Sequence, residues 1–250
     1  MLTANPTRFA LFPALIAGVM LIQGCGKEPQ LPGPASTSGS GTGSAAPDNA
    51  AAAKVIAAAS VPKADKGTPL ESYAVLSGGK PLLFSYYALS GMPVDYEIIA
   101  KNISADYSLS SDEFKKRDIL AALKPGIDSA IDEAKAKRYF KLSTADGVRA
   151  YDFDSKSFPH QSLGNEGIYF SFNDAPAYRL VFSNGSAFGR IKVPEDTDAR
   201  EIERRRAALE RIGTRVYFFL SDVELGSRTV RAEITRVELV DGTGRVLASM

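Results

Sequence analysis

The chain has no tryptophan, one histidine, one cysteine and four methionines among its 250 residues. Each scarcity removes a chemistry. One cysteine cannot close an intrachain disulfide, and one cysteine with one histidine cannot supply the clustered ligands of a zinc site. The lack of tryptophan weakens any sugar-stacking platform. His160 is the sole imidazole available to a Ser-His-Asp arrangement, and no G-x-S-x-G elbow offers a nucleophile. It sits in "SFPHQSLGNEG", read as a loop in which the ring is solvated or locally bonded. Excess charge of one sign is missing too: 30 Lys and Arg stand against 29 Asp and Glu. Nothing in that balance points to a nucleic-acid partner.

Long apolar runs are confined to the beginning. Phe9 to Ile22 carries no charge and follows a single basic side chain, Arg8. The run falls short of the ~20 apolar residues that span a bilayer. A basic start, a short apolar core and small residues at its end describe a secretory signal peptide over residues 1–24. The sole cysteine, Cys25, follows "LIQG" directly. Leu21-Ile22-Gln23-Gly24-Cys25 resembles the lipobox of bacterial lipoproteins, with Ile22 three residues before the cysteine and Gly24 directly before it. Gln23 departs from the Ala, Ser or Thr usual at the middle place. The resemblance implies that the Cys25 thiol takes a diacylglycerol, that cleavage follows Gly24, and that the new amine is acylated. Two or three acyl chains hold a protein durably where one does not. Gly26, in place of the Asp that tends to retain such proteins in the inner membrane, implies the outer membrane, facing the periplasm.

Residues 25–66 are rich in Gly, Ser, Ala and Pro and read as a lipidated cysteine and flexible tether. About 40 residues of flexible coil span roughly 35 Å. Residues 67–250 are the size of one domain. Thr68-Pro69-Leu70-Glu71 predicts a helix start, with Gly78-Gly79 as its stop. "KPLLFSYYALSG" and "PVDYEIIAKNI" predict two further helices. Ser110 to Glu113 opens a longer one whose Leu120, Leu123, Ile127, Ile131 and Ala134 keep one helical phase across Pro125, which predicts one kinked helix from about 111 to 138 or two nearly collinear ones.

Strand patterns follow. Hairpins are predicted at Asp146-Gly147, between "IYFSF" and "YRLVFS", at Asn184-Gly185 and at Asp241-Gly242. A charged helix is predicted from about Glu195 to Ile212, with Ala199, Ile202, Leu209 and Ile212 as its buried stripe. Val216 to Leu220 is apolar at every position and reads as a central strand covered on both faces. In the next strand the inward parity changes between Ile234 and Val237, which implies a bulge or sharp bend near Thr235-Arg236. The expectation is an α+β domain: an N-terminal helical layer, then a largely antiparallel sheet of about eight strands with one inserted helix. "DEFKKRDILAALKP" and "YDFDSKSFP" resemble an uncharacterised family of bacterial envelope proteins, a domain of unknown function, over most of 67–250. That resemblance implies no activity.

No residue stands out as catalytic, and no cofactor or metal is implied. The pairs Asp95/Glu97, Asp112/Glu113, Asp152/Asp154 and Asp196/Asp198 look like helix starts and turns, although paired carboxylates across a cleft would make the alternative, a periplasmic hydrolase. "GSGTGS" has no strand before it and "DGTGR" no helix after it, so neither is a phosphate cradle. Tyr73, Tyr86, Tyr87, Tyr96 and Tyr107 crowd the helical half. The most distinctive surface is "AREIERRRAALERI": Arg204, Arg205 and Arg206 form a candidate patch for acidic headgroups or an acidic envelope-protein partner, or else a solvated, ion-paired face. The sequence reading is thus a non-enzymatic envelope lipoprotein, held to the membrane through Cys25. Cys25→Ser is expected to block lipidation and signal-peptide cleavage together, read by detergent partitioning and mature mass; a variant still cut after Gly24 and still recovered with membranes would refute it.

Overall fold

The computed structural model describes residues 62–250 apart from 161 and 166, so the predicted signal peptide, Cys25 and most of the predicted tether lie outside the described residues. The described part is α+β. Five α-helices are present: α1 (Lys80–Ser90), α2 (Tyr96–Ile103), α3 (Ala105–Leu109), α4 (Glu113–Ala136) and α5 (Asp196–Ala207). The strands are β1 (Ala74–Val75), β2 (Tyr139–Thr144), β3 (Ser157–Pro159), β4 (Phe170–Ser171), β5 (Arg179–Phe182), β6 (Arg190–Lys192), β7 (Ile212–Glu224), β8 (Thr229–Asp241) and β9 (Val246–Ser249). Seven of them form one mixed sheet, ordered β1-β2-β7-β8-β5-β4 with β9 also on β8; β3 and β6 form a second sheet of two. No helix among the described residues is long and apolar enough to cross a membrane.

The β7–β8 hairpin is the centre. Val216, Phe218 and Leu220 face the core, while the alternate Tyr217 and Phe219 are buried against the other face. That is why this strand reads apolar at every position. The register steps from Tyr217↔Arg236 to Phe218↔Ile234, leaving Thr235 as the extra residue of a bulge. The bulge keeps Ile234 and Val237, of opposite parity, both in the core. Its hydroxyl is used: Thr235 Oγ1 lies 3.1 Å from the Tyr217 carbonyl and 3.0 Å from Tyr73 Oη. α1 and α4 pack on each other, and α1 packs on β7 and β8. α4 runs through Pro125 as one helix, with Ile127, Ile131 and Ala134 buried.

Several predicted turns take other forms, for reasons that lie far along the chain. Gly78-Gly79 does not end a helix but precedes one. The Thr68 start yields only a 3-10 turn, Leu70–Ser72, and the chain then joins β2 as β1. Asp174 caps α1 from a distance, accepting from the N–H groups of Gly79 (2.7 Å) and Lys80 (3.2 Å). A Cβ on Gly78 would meet that carboxylate at 2.8 Å, and one on Gly79 would meet the Ala175 side chain at 2.9 Å. Small residues are needed there for approach rather than for stopping a helix.

Asn184-Gly185 makes no hairpin. Asn184 turns its amide onto Ile234, donating to the carbonyl (2.9 Å) and accepting from the N–H (2.8 Å), which prolongs the β5 ladder with a side chain. The chain then makes a 3-10 turn, Gly185–Phe188, and β6 pairs with β3. Likewise β2 pairs with β7 rather than turning back at Asp146-Gly147. α5 stops at Ala207 because Leu209 takes a left-handed φ of 55°. Ala199 and Ile202 are its buried positions; Leu209 is 92% exposed, and Ile212 opens β7.

Asp174→Ala removes the cap on α1 and is expected to cost about 1 kcal/mol, within the usual range for a lost helix cap. Urea unfolding of the variant checks this, and an unchanged midpoint would show that water replaces the cap at no cost.

Candidate functional site

α5 lies beside the turn that leads from Tyr151 into β3. Between them is a cleft of about 460 Å³ lined by Tyr151, Phe153, Asp196, Ala199, Arg200, Glu203 and Arg204. The turn is firmly built. Asp152 accepts from the N–H groups of Asp154 (3.0 Å) and Ser155 (3.2 Å) and pairs with Arg190 at 2.6 Å. Arg190 and those N–H groups hold the Asp152 carboxyl down at about 2. Tyr151 is anchored at both ends: its hydroxyl donates to the Val193 carbonyl (2.9 Å) and its N–H to Glu203 (3.2 Å).

This scaffold leaves Phe153 standing out. Its ring meets Tyr151 edge-on at 5.1 Å, yet the residue is 81% exposed. A large aromatic side chain at a cleft mouth, held by a rigid turn, suits recognition better than packing.

The helix side of the cleft sorts its charges. Arg204 bonds Glu201 (3.1 Å) and Glu210 (2.9 Å). Arg205 bonds Glu201 (2.7 Å) and Glu210 (3.1 Å), lies 3.7 Å from Asp241, and its side chain is only 18% exposed. Arg206 clasps Glu203 at 2.6 Å and 2.9 Å. The three candidate patch arginines therefore face carboxylates of their own domain. Arg204 and then Arg205 hold the Glu201 carboxyl down at about 2, and the Thr243 hydroxyl, followed by backbone N–H groups and Arg245, holds Asp241 well below the ordinary range. Arg200 differs: it makes no hydrogen bond or ion pair with any described residue. It stands one turn after Asp196, which lies in the first turn of α5, where the helix dipole already favours a negative charge.

Several of the other sequence candidates have structural partners. Asp95 caps α2 through the Ile98 N–H (2.9 Å), and Asp112 caps α4 through Phe114 (2.9 Å) and Lys115 (3.2 Å). Tyr86 packs edge-on against Tyr87 and Tyr178 and donates to the Leu225 carbonyl. Tyr73 is buried on the opposite sheet face with Tyr139 and Tyr217. Tyr96 reaches Asp128 at 2.7 Å.

His160 is not a solvated loop residue. It is 7% exposed, with Nε2 2.9 Å from Thr214 Oγ1. Its Nδ1 accepts from the N–H groups of both Ser162 and Leu163 at 3.1 Å. Thr214 in turn donates to the Asp146 carbonyl (2.8 Å), so Nε2 carries the ring proton and gives it to Thr214.

Sequence reasoning found α5 and Arg204 but did not join Tyr151 and Phe153 to them. The available signal was an aromatic pair inside an otherwise polar turn, "YDFDSKS". No family model, curated protein or solved structure matches this chain.

Because Arg205 is the most enclosed of the three arginines and bridges α5 to the end of β8, Arg205→Ala is expected to lower the urea midpoint more than Arg204→Ala. The Glu201 contribution is present above its ordinary value near 4.5 and fades as pH falls toward about 2. Equal midpoints for the two variants at neutral pH would show that the bridge adds nothing.

Proposed function

We propose that this chain is a lipoprotein of the bacterial envelope, tethered at Cys25 to the outer membrane and facing the periplasm. In this reading its domain, an N-terminal helical layer over a largely antiparallel sheet with α5 inserted, binds a partner without catalysing a reaction. The lipobox resemblance of "LIQGC" supports the tether. The cleft supports the binding reading, and the single observation that carries it is Phe153 exposed beside Arg200, which has no ion pair among the described residues.

The occupant that suits the cleft is a segment of an envelope protein presenting an apolar side chain next to a carboxylate. Phe153, Tyr151 and Ala199 would receive the apolar group, and Arg200 would receive the acid. The neighbouring arginines, already neutralised by Glu201, Glu203 and Glu210, would set the surrounding surface rather than the contact.

The test is a panel of immobilised peptides in which an aromatic or aliphatic residue is followed by Glu, compared with the same peptides carrying Lys. Wild type should retain the Glu set. Phe153→Ser should retain neither set, and Arg200→Glu should turn the preference toward Lys. Binding that ignores the charge, or that survives Phe153→Ser, would overturn the proposal.

A further inference from the structure

His160 is the meeting point of three segments. Its own N–H bonds the Gly189 carbonyl (2.9 Å), its Nε2 reaches β7 at Thr214, and its Nδ1 holds the turn at Ser162 and Leu163. The turn is seated closely. Leu163 is buried in the core cluster. A Cβ on Gly164 would come within 2.7 Å of the Gly189 Cα, and one on Gly185 within 2.7 Å of the Leu163 carbonyl oxygen. Ser162 adds a hydroxyl bond to the Asp146 carboxylate at 2.8 Å.

The two N–H bonds to Nδ1 exist only while that nitrogen keeps its lone pair. A proton on Nδ1 would turn the acceptor into a donor facing two donors. The bond from Nε2 to Thr214 would survive, because Nε2 donates in both states. Protonation therefore acts on one side of the ring alone, the side that holds the turn. The Asp146 charge favours the protonated form.

We propose that His160 is an acid-sensitive latch: neutral, it clasps the 162–164 turn onto the core, and protonated, it stays bonded to Thr214, loses both N–H bonds at Nδ1 and lets the turn go. Burial holds the imidazole below its ordinary 6.5, against the pull of Asp146. The sign follows. The latch contributes fully above 6.5 and weakens as pH falls from there toward the lowered folded value. A periplasm-facing domain, open to the external medium, would meet that range; this clause alone rests on the proposed localisation.

His160 is the chain's only histidine, so its ring signal in an NMR titration is unambiguous. On the full chain, the Ser162 and Leu163 amides should exchange at least tenfold faster at pH 5 than at pH 7 after correction for intrinsic rates, in step with the ring titration. His160→Asn keeps an oxygen acceptor near the Nδ1 position and should make their protection independent of pH. Asp146→Asn should move the ring midpoint to lower pH. Flat protection from pH 7 to 4.5 in wild type, or the same pH dependence in His160→Asn, would overturn the latch. Should His160→Asn fail to fold, the coincidence or mismatch of ring titration and amide exchange in wild type and Asp146→Asn decides it.

Discussion

The antiparallel pairing of β7 with β8 extends over thirteen residues of each strand, and β2, β5, β9 and α1 are all fastened to it. β7 offers its outer edge to β2, and through β2 to β1. β8 divides its outer edge between two partners: β5 takes Thr229 to Ala232, and β9 takes Glu238 to Val240. The bulge at Thr235 lies between those two stretches. It bends the strand where one neighbour ends and before the next begins, so a single strand serves two edges without leaving a long row of unpaired backbone groups.

How much of this was legible depended on whether the cause of each feature was local. The apolar run Val216 to Leu220 and the parity change around Thr235 describe their own surroundings, because strand alternation reports directly which face is covered. Helix α4 was readable through Pro125 because Ile127 and Ile131 keep the phase of the residues before it. Gly78-Gly79 and Asn184-Gly185 were misread because their roles are set by Asp174 and Ile234, each 50 or more positions away. A two-residue signal carries no information about an arriving partner.

The candidate site divides in the same way. Glu201 and Arg205 are four residues apart on a helix, so their pairing could be anticipated; the approach of Asp241 could not. The fold pairs Arg204, Arg205 and Arg206 with carboxylates of the domain and sets the exposed Arg200, which has no ion pair among the described residues, against an aromatic turn from another part of the chain. The burial of His160 was likewise hidden, since the partner of its Nε2, Thr214, lies 54 positions away.

The distant cap on α1 has a consequence for how the domain opens. A helix normally carries its own first-turn acceptor, so it can form before anything else arrives. Here the N–H groups of Gly79 and Lys80 are satisfied only when the segment around Asp174, some 95 residues further on, is already docked. The start of α1 and the β4–β5 connection are therefore bound into one cooperative unit despite their separation in sequence. Fraying of that helix end and loosening of the connection become the same event, and the non-local closure it requires belongs late in the order of assembly.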